Sequence, residues 1–228
     1  MKKIIILMAT FCLFLTSAKA ELGINIGVSA QVGSAEASGN EKDSNTDGTT
    51  TTNTSKTEEM LFGTGSFFIE KTLDFLPGPF ARLALGYDYV PHDIGTATAT
   101  NIRFDQDGDD NNDRVENNVK ANFEDLNTFY LTANITDWLY VKAGLVSVDA
   151  ISKETLGTGS AYGNAKLDGE VYGFGLKTST DSGLFLRAEA NWMDIDGVTL
   201  TSSTNSDNTV TLDGIDTVSG RISVGKSF

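Results

Sequence analysis

Apolar and polar residues alternate at period two along most of this chain, and its last stretch shows the pattern best. In GIDTVSGRISVGKSF, Gly214 to Phe228, the residues Val218, Gly220, Ile222 and Val224 fall on one side of an extended strand. Ser219, Arg221, Ser223 and Gly225 fall on the other. Seven earlier segments repeat the pattern. The first is ELGINIGVSAQV, where Leu22, Ile24, Ile26, Val28, Ala30 and Val32 alternate with small and polar residues. The second, Met60 to Lys71, places Leu61, Gly63, Gly65, Phe67 and Ile69 on one face. The third runs from Phe80 to Val90, the fourth from Phe123 to Ile135 and the fifth from Trp138 to Val148. The sixth covers Asp168 to Thr178 and the seventh Leu184 to Asp194.

Eight strands of about 10–12 residues are long enough to cross a bilayer when tilted. A strand at a sheet edge leaves backbone groups unpaired, and a closed barrel removes every edge. The connections alternate in length. Gly33 to Glu59, Pro91 to Asn122, Asp149 to Leu167 and Ile195 to Asp213 are long and polar, and read as solvated loops. Leu73 to Pro79, Thr136-Asp137 and Ser179 to Gly183 are short turns. The expected fold is therefore all-β: an eight-stranded antiparallel up-and-down transmembrane β-barrel with four long extracellular loops and three short periplasmic turns.

Alternation does not say which face is inside, because a soluble barrel would bury its apolar face. Here the polar face is poor in long charged side chains. Aromatics cluster near strand ends, with Tyr87, Tyr89 and Trp192 on the loop side and Phe80, Trp138 and Phe228 on the turn side, as in interface girdles. The apolar face is thus expected to meet lipid. The lumen is expected to hold a charge network of Arg82, Asp88, Lys142, Lys177, Arg187, Glu189 and Arg221, with Glu70 as a further candidate. A barrel of this size is filled by side chains, so the charges read as a structural plug; a narrow gated pore is the alternative.

The N-terminus changes the compartment. Lys2 and Lys3 precede the apolar run Ile4 to Leu15, and Ala18-Lys19-Ala20 is an A-x-A site. Residues 1–20 are expected to be a cleaved signal peptide and 21–228 the barrel domain. Loss of Lys2, Lys3 and Lys19 leaves 14 basic residues against 31 acidic ones, taking the net charge from -14 to -17. Cys12 would leave with the signal, and its surroundings are not a lipidation box. So acidic a chain is a poor partner for nucleic acid.

The closing strand also carries a resemblance. The chain resembles the small eight-stranded outer-membrane barrels, the OmpA transmembrane domain and OmpX group. In that family the last strand ends in Phe and alternates apolar residues back from it; Phe228, Val224 and Ile222 match, and Lys226 departs. The resemblance implies outer-membrane lipid and lipopolysaccharide as surroundings, Phe228 as the signal read by the barrel-assembly machinery, and a monomer. No peptidoglycan-binding domain is expected beyond Phe228.

Two further candidates carry chemistry. In DQDGDDNNDRVE, oxygen ligands fall at Asp105, Asp107, Asp109, Asn111, Asp113 and Glu116, the rhythm of an EF-hand calcium loop. The loop's glycine is displaced, Gly108 standing where position four falls, so a solvated acidic hairpin tip is the simpler expectation and any calcium would be weakly held. His92 is the only histidine. An enzyme that modifies lipid A would have to use it, and an ordinary loop histidine is the simpler expectation. No cofactor and no enzymatic activity are expected. The expected function is a structural or surface-interaction barrel of the outer membrane; a small porin or narrow transporter is the alternative.

Overall fold

A computed structural model of the chain describes residues 22–44, 51–105, 113–156 and 160–228. The side chains of residues 101, 103–105 and 113–115 are not part of that description, and the expected signal peptide lies outside it. The described residues form strands β1 (Ile24–Ser44), β2 (Thr51–Thr72), β3 (Leu83–Tyr89), β4 (Ile94–Gly95), β5 (Ala99–Asp105), β6 (Asp113–Asn134), β7 (Leu139–Thr155), β8 (Ala165–Ser179), β9 (Leu184–Thr201) and β10 (Thr209–Ser227).

Neighbouring strands pair antiparallel in the order β3-β2-β1-β10-β9-β8-β7-β6, and β3 also pairs with β6, which closes a ring of eight. Strands β4 and β5 add to β6 only. Chain closure runs through Phe228, whose N–H donates to the Ile24 carbonyl at 2.8 Å while Ile24 N–H donates back at 3.2 Å.

The strands are longer than the alternation predicted. β1, β2 and β6 have 21, 22 and 22 residues. The expected loops Gly33 to Glu59, Pro91 to Asn122, Asp149 to Leu167 and Ile195 to Asp213 are largely β-ladder. They extend the hairpins beyond the apolar band. Gly33 to Ser44, for example, pairs residue by residue with Thr51 to Phe62. The short turns remain short, with one addition: residues Gly78–Arg82 form a 3₁₀ helix. Pro77, Pro79 and Gly78, which has φ 65°, cannot continue a regular strand, so β3 starts at Leu83 rather than at Phe80.

Through the part of the ring nearest the turns, odd residues of β1 and even residues of β2 point inward, and the opposite parity is exposed. Val32, Leu61, Phe129, Leu145, Leu186, Trp192 and Ile222 stand on the outer surface. Ser29, Ser66, Asp88, Lys142, Arg187 and Arg221 are buried inside. This is the reverse of a soluble barrel, and it makes lipid the matching solvent for the outer face.

Farther from the turns the polarity inverts without any change of parity. On β9 the outward residues go from Leu184, Leu186 and Trp192 to Asp194 and Asp196, while the inward ones go from Arg187, Glu189 and Asn191 to Met193 and Ile195. On β1, outward Ile26 and Val32 give way to Glu36, and inward Asn25 and Ser29 to Ala35. At the crossover, register places exposed Glu59, Glu36, Asp216, Asp194 and Glu170 side by side on five successive strands. Beyond it the barrel obeys soluble-protein rules. Ala35, Val148, Leu167, Ile195 and Ile215 form a buried apolar cluster, and Met60, Phe62, Phe123, Leu126 and Met193 pack against it.

One seam in the wall is left open. β3 pairs with β2 only from Phe67↔Tyr89 down to Thr72↔Ala84. Past Tyr89 the chain follows β6 through β4 and β5, and among the described residues no strand pairs with the outer part of β2 on that side.

Candidate functional site

The interior near the turns is built around three acidic and three basic side chains: Glu70, Asp88 and Glu189 with Lys142, Arg187 and Arg221. Each acid has its own base. Arg187 grips Glu70 with two parallel bonds of 2.5 and 2.6 Å. Lys142 donates to Glu189 at 2.8 Å. Arg221 donates to Asp88, and its Nε lies 3.9 Å from Glu189. The remaining carboxylate lone pairs are also used. Glu70 accepts from Asn25 at 3.1 Å and from the Tyr130 hydroxyl at 3.0 Å. Glu189 accepts from the Tyr140 hydroxyl at 2.5 Å, and Asp88 from Ser66 at 2.9 Å. A buried ion is tolerable only when paired and hydrogen-bonded: Glu70 and Glu189 are bonded at both oxygens and Asp88 at Oδ2, while the buried Nε atoms of Arg187 and Arg221 make no hydrogen bond among the described residues.

Aromatic rings fill the space around the cations. The Arg187 guanidinium lies 4.6 Å from the Phe185 ring centroid, 5.6 Å from Phe68 and 5.5 Å from Tyr140. Two glycines make this possible. A Cβ at Gly86 would collide with the ring of Tyr130, and one at Gly175 with the ring of Tyr140. Both tyrosines deliver their hydroxyls to the network across the flat surface those glycines leave.

Of the seven expected lumen charges, the structure brings Asp88, Lys142, Arg187, Glu189 and Arg221 together. Lys177 sits half-buried at the turn-side mouth and donates to Asn134 Oδ1 at 2.7 Å. Arg82 is not in the lumen. It belongs to the 3₁₀ helix and donates to the Ile135 carbonyl at 2.9 Å from an exposed position. Its place on a strand depended on β3 starting at Phe80. Glu70 is the most enclosed acid, with a side chain 0% exposed. The parity assigned to β2 was the signal that pointed to it.

Above the charges, a cavity of about 20 Å³ is lined by Gln31, Asp88, Leu126, Lys142, Asn191 and Met193, room for about one water. The apolar cluster closes the interior beyond that.

The outer rim has its own organising residue, which sequence gave no means to find. Asn208 is 4% exposed. Its Oδ1 accepts from Ser44 N–H at 2.6 Å, and its Nδ2 donates to Asp43 Oδ1 and to Ser160 Oγ, both at 2.7 Å. Three connections, β1–β2, β7–β8 and β9–β10, are joined through this amide. Ser203 N–H donating to the Ala161 carbonyl at 2.9 Å and the Tyr162 hydroxyl donating to Glu41 at 3.4 Å tie the same connections together. Burial first, and then the Glu41 carboxylate, push the Tyr162 hydroxyl above the usual tyrosine range.

Among the calcium candidates, Asp107, Asp109 and Asn111 lie outside the described residues. The backbone of Asp105 and Asp113 forms a cross-strand pair, and Glu116 pairs with Ile102. The segment is thus flanked by strands in a β-hairpin, where an EF-hand is flanked by helices. Glu116 Oε1 accepts from Asn118 at 3.2 Å. His92 is exposed, and its Nε2 accepts the Gly65 N–H at 3.0 Å, across the open seam. Lys226, the residue that departs from the expected last-strand pattern, is buried and lies 5.2 Å from the Phe228 ring centroid.

No family model and no curated protein matches this sequence. Solved structures with a similar course of the chain include three bacterial barrels. Neisserial surface protein A is 10% identical at a TM-score of 0.36, over 87% of this chain and 99% of that one. Ail, the attachment invasion locus protein of Yersinia pestis, is 12% identical at a TM-score of 0.33, over 87% and 97%. The outer membrane protease OmpT from Escherichia coli is 9% identical at a TM-score of 0.40, over 90% and 97%.

Proposed function

We propose that the protein is an integral barrel of a bacterial outer membrane with a structural or surface-interaction role, and that its lumen does not conduct. The closed interior carries this reading. Three ion pairs with their aromatic packing fill the section inside the apolar band, and an apolar cluster seals the section outside it. An ion entering the first would have to break a paired buried charge, and one entering the second would have to shed its water in an apolar layer. The outward apolar residues face lipid, residues 1–20 serve as the export signal, and the acidic, Thr- and Asn-rich hairpins face the medium. Reconstitution into planar bilayers tests the reading. Baseline current with no unitary steps is expected, and stable single-channel steps would overturn it.

A further inference from the structure

We propose that the free outer edge of β2 pairs with the free edge of β5 from a second copy of this chain in the same membrane. The proposal rests on the membrane placement given above. It goes beyond that placement, because the sequence suggested no more than a monomer.

Backbone directions identify the available groups. In an antiparallel strand, the N–H and C=O of one residue point to the same side, and successive residues alternate. Gly65 N–H donates to His92 across the seam, away from β1, so it marks the odd residues of β2 as edge-directed. The pairing of β2 with β1 runs from Lys71 to Thr51 without a register shift, so the parity holds throughout. The odd residues from Thr51 to Gly63 therefore present both backbone groups to an edge on which no strand pairs among the described residues. From Thr51 to Glu59 the side chains are exposed on both faces.

Natural sheets protect such an edge with a proline, a bulge or a very short strand. The outer half of β2 has none of these; its charges are Lys56, paired with Glu58, and Glu59, and residues 51–55 carry no charge. Bulges occur elsewhere in this barrel, at Ser38/Gly39 and at Glu124/Asn127. The edge is rich in β-branched Thr51, Thr52, Thr54 and Thr57, which favours strand pairing.

The fold also supplies the matching strand. β5, seven residues long, pairs with β6 and, among the described residues, with no second strand. It runs antiparallel to β6, as β3 does, and therefore opposite to β2. Two copies held upright by the same apolar band can thus bring β2 of one against β5 of the other in antiparallel register, with neither copy inverted. Two β2 edges would meet parallel, a poorer match for identical strands. Confinement to one membrane further raises the effective concentration of the partner. The contact is head-to-tail, so it builds rings or rows rather than closed pairs.

Crosslinking in vesicles tests this. All variants carry Cys12→Ser, which removes the only native cysteine. Ser55→Cys protein and Ala99→Cys protein are refolded together into phospholipid vesicles and treated with a flexible bismaleimide. The mixture is expected to give a covalent dimer that neither protein gives alone, and a Ser55→Cys/Ala99→Cys chain is expected to give a ladder. Thr57→Pro removes one edge-directed N–H, spares the backbone bonds to β1 and gives up only the exposed hydroxyl bond between Ser38 and Thr57, and should cut the ladder at least tenfold. Absence of the mixed dimer overturns the proposal. So does a double variant that yields only an internally linked monomer, which would mean that the seam closes on itself. Heat-modifiable gel mobility is recorded on every sample. Folded barrels without dimer sink only the pairing, whereas identical mobility of boiled and unboiled protein sinks the membrane barrel and the pairing with it.

Discussion

The two halves of this barrel obey opposite solvation rules within the same strands. Near the turns, charge is inside and hydrocarbon outside; beyond the carboxylate row of Glu59, Glu36, Asp216, Asp194 and Glu170, hydrocarbon is inside and charge outside. The backbone does not register the change. Direct partners such as Val218↔Trp192 and Asp216↔Asp194 lie on one unbroken ladder, two residues apart. A β-ladder fixes which residues share a face, and solvent alone decides what that face must be made of. Each half also holds itself together differently: the first through directional ion pairs and bonds, the second through apolar packing.

Breaking the ionic half should have the largest effect. Arg187→Leu leaves Glu70 buried without its bidentate partner. Removing one member of a buried pair costs about 3–5 kcal/mol. Urea unfolding of the refolded protein should show that loss in full. The Glu70→Leu/Arg187→Leu double variant should regain a large part of it, because two apolar groups leave no uncompensated charge. A double variant as unstable as either single one would mean that the pair contributes through packing alone.

The boundary can be located with one substitution made on each side of it. Leu186 and Asp194 are both exposed on β9, four outward positions apart. Leu186→Arg places a cation against lipid and should cost about 2–4 kcal/mol if it lies near the midplane. Asp194→Arg should cost about 0–1 kcal/mol, since that position meets water or headgroups. Unfolding midpoints in vesicles check the difference, and equal costs would erase the boundary.

The same inversion explains what could and could not be read along the chain. The eight strands of the ring, their order, the turn positions and the parity of the membrane band were legible, because Leu184 to Trp192 and Val218 to Val224 keep one chemistry on one face. The outer halves were not. Gly33 to Glu59 has few apolar residues and reads as loop, yet residues 33–44 and 51–59 continue the β1–β2 ladder, and Ala35 and Ala37 on its inward face join the apolar cluster. A search for constant polarity on each face ends every strand where the solvent changes. Arg82 was misplaced for a different reason: alternation started β3 at Phe80, directly after the turn, whereas the 3₁₀ helix of that turn, Gly78–Arg82, runs on through Phe80, Ala81 and Arg82 before the strand begins. Asn208 carries no motif, since its partners Asp43, Ser44 and Ser160 are all distant in sequence.

Asn208 offers the finest test of the comparison, because it holds the outer half at its rim without touching the inner one. Asn208→Ala leaves Ser44 N–H, Asp43 and Ser160 without their shared partner. An unmade bond of this kind costs about 1–3 kcal/mol, and the cost should appear locally. Hydrogen exchange at the Ser44 amide should accelerate, and the connections joined through Asn208 should become easier to cleave by protease. The urea midpoint that reports the Glu70–Arg187 layer should stay close to that of the native protein, since local opening at a rim need not reach a buried layer. If the midpoint fell together with the rim protection, the two halves would form one cooperative unit, and the change of solvation rule along the strands would not divide the barrel energetically.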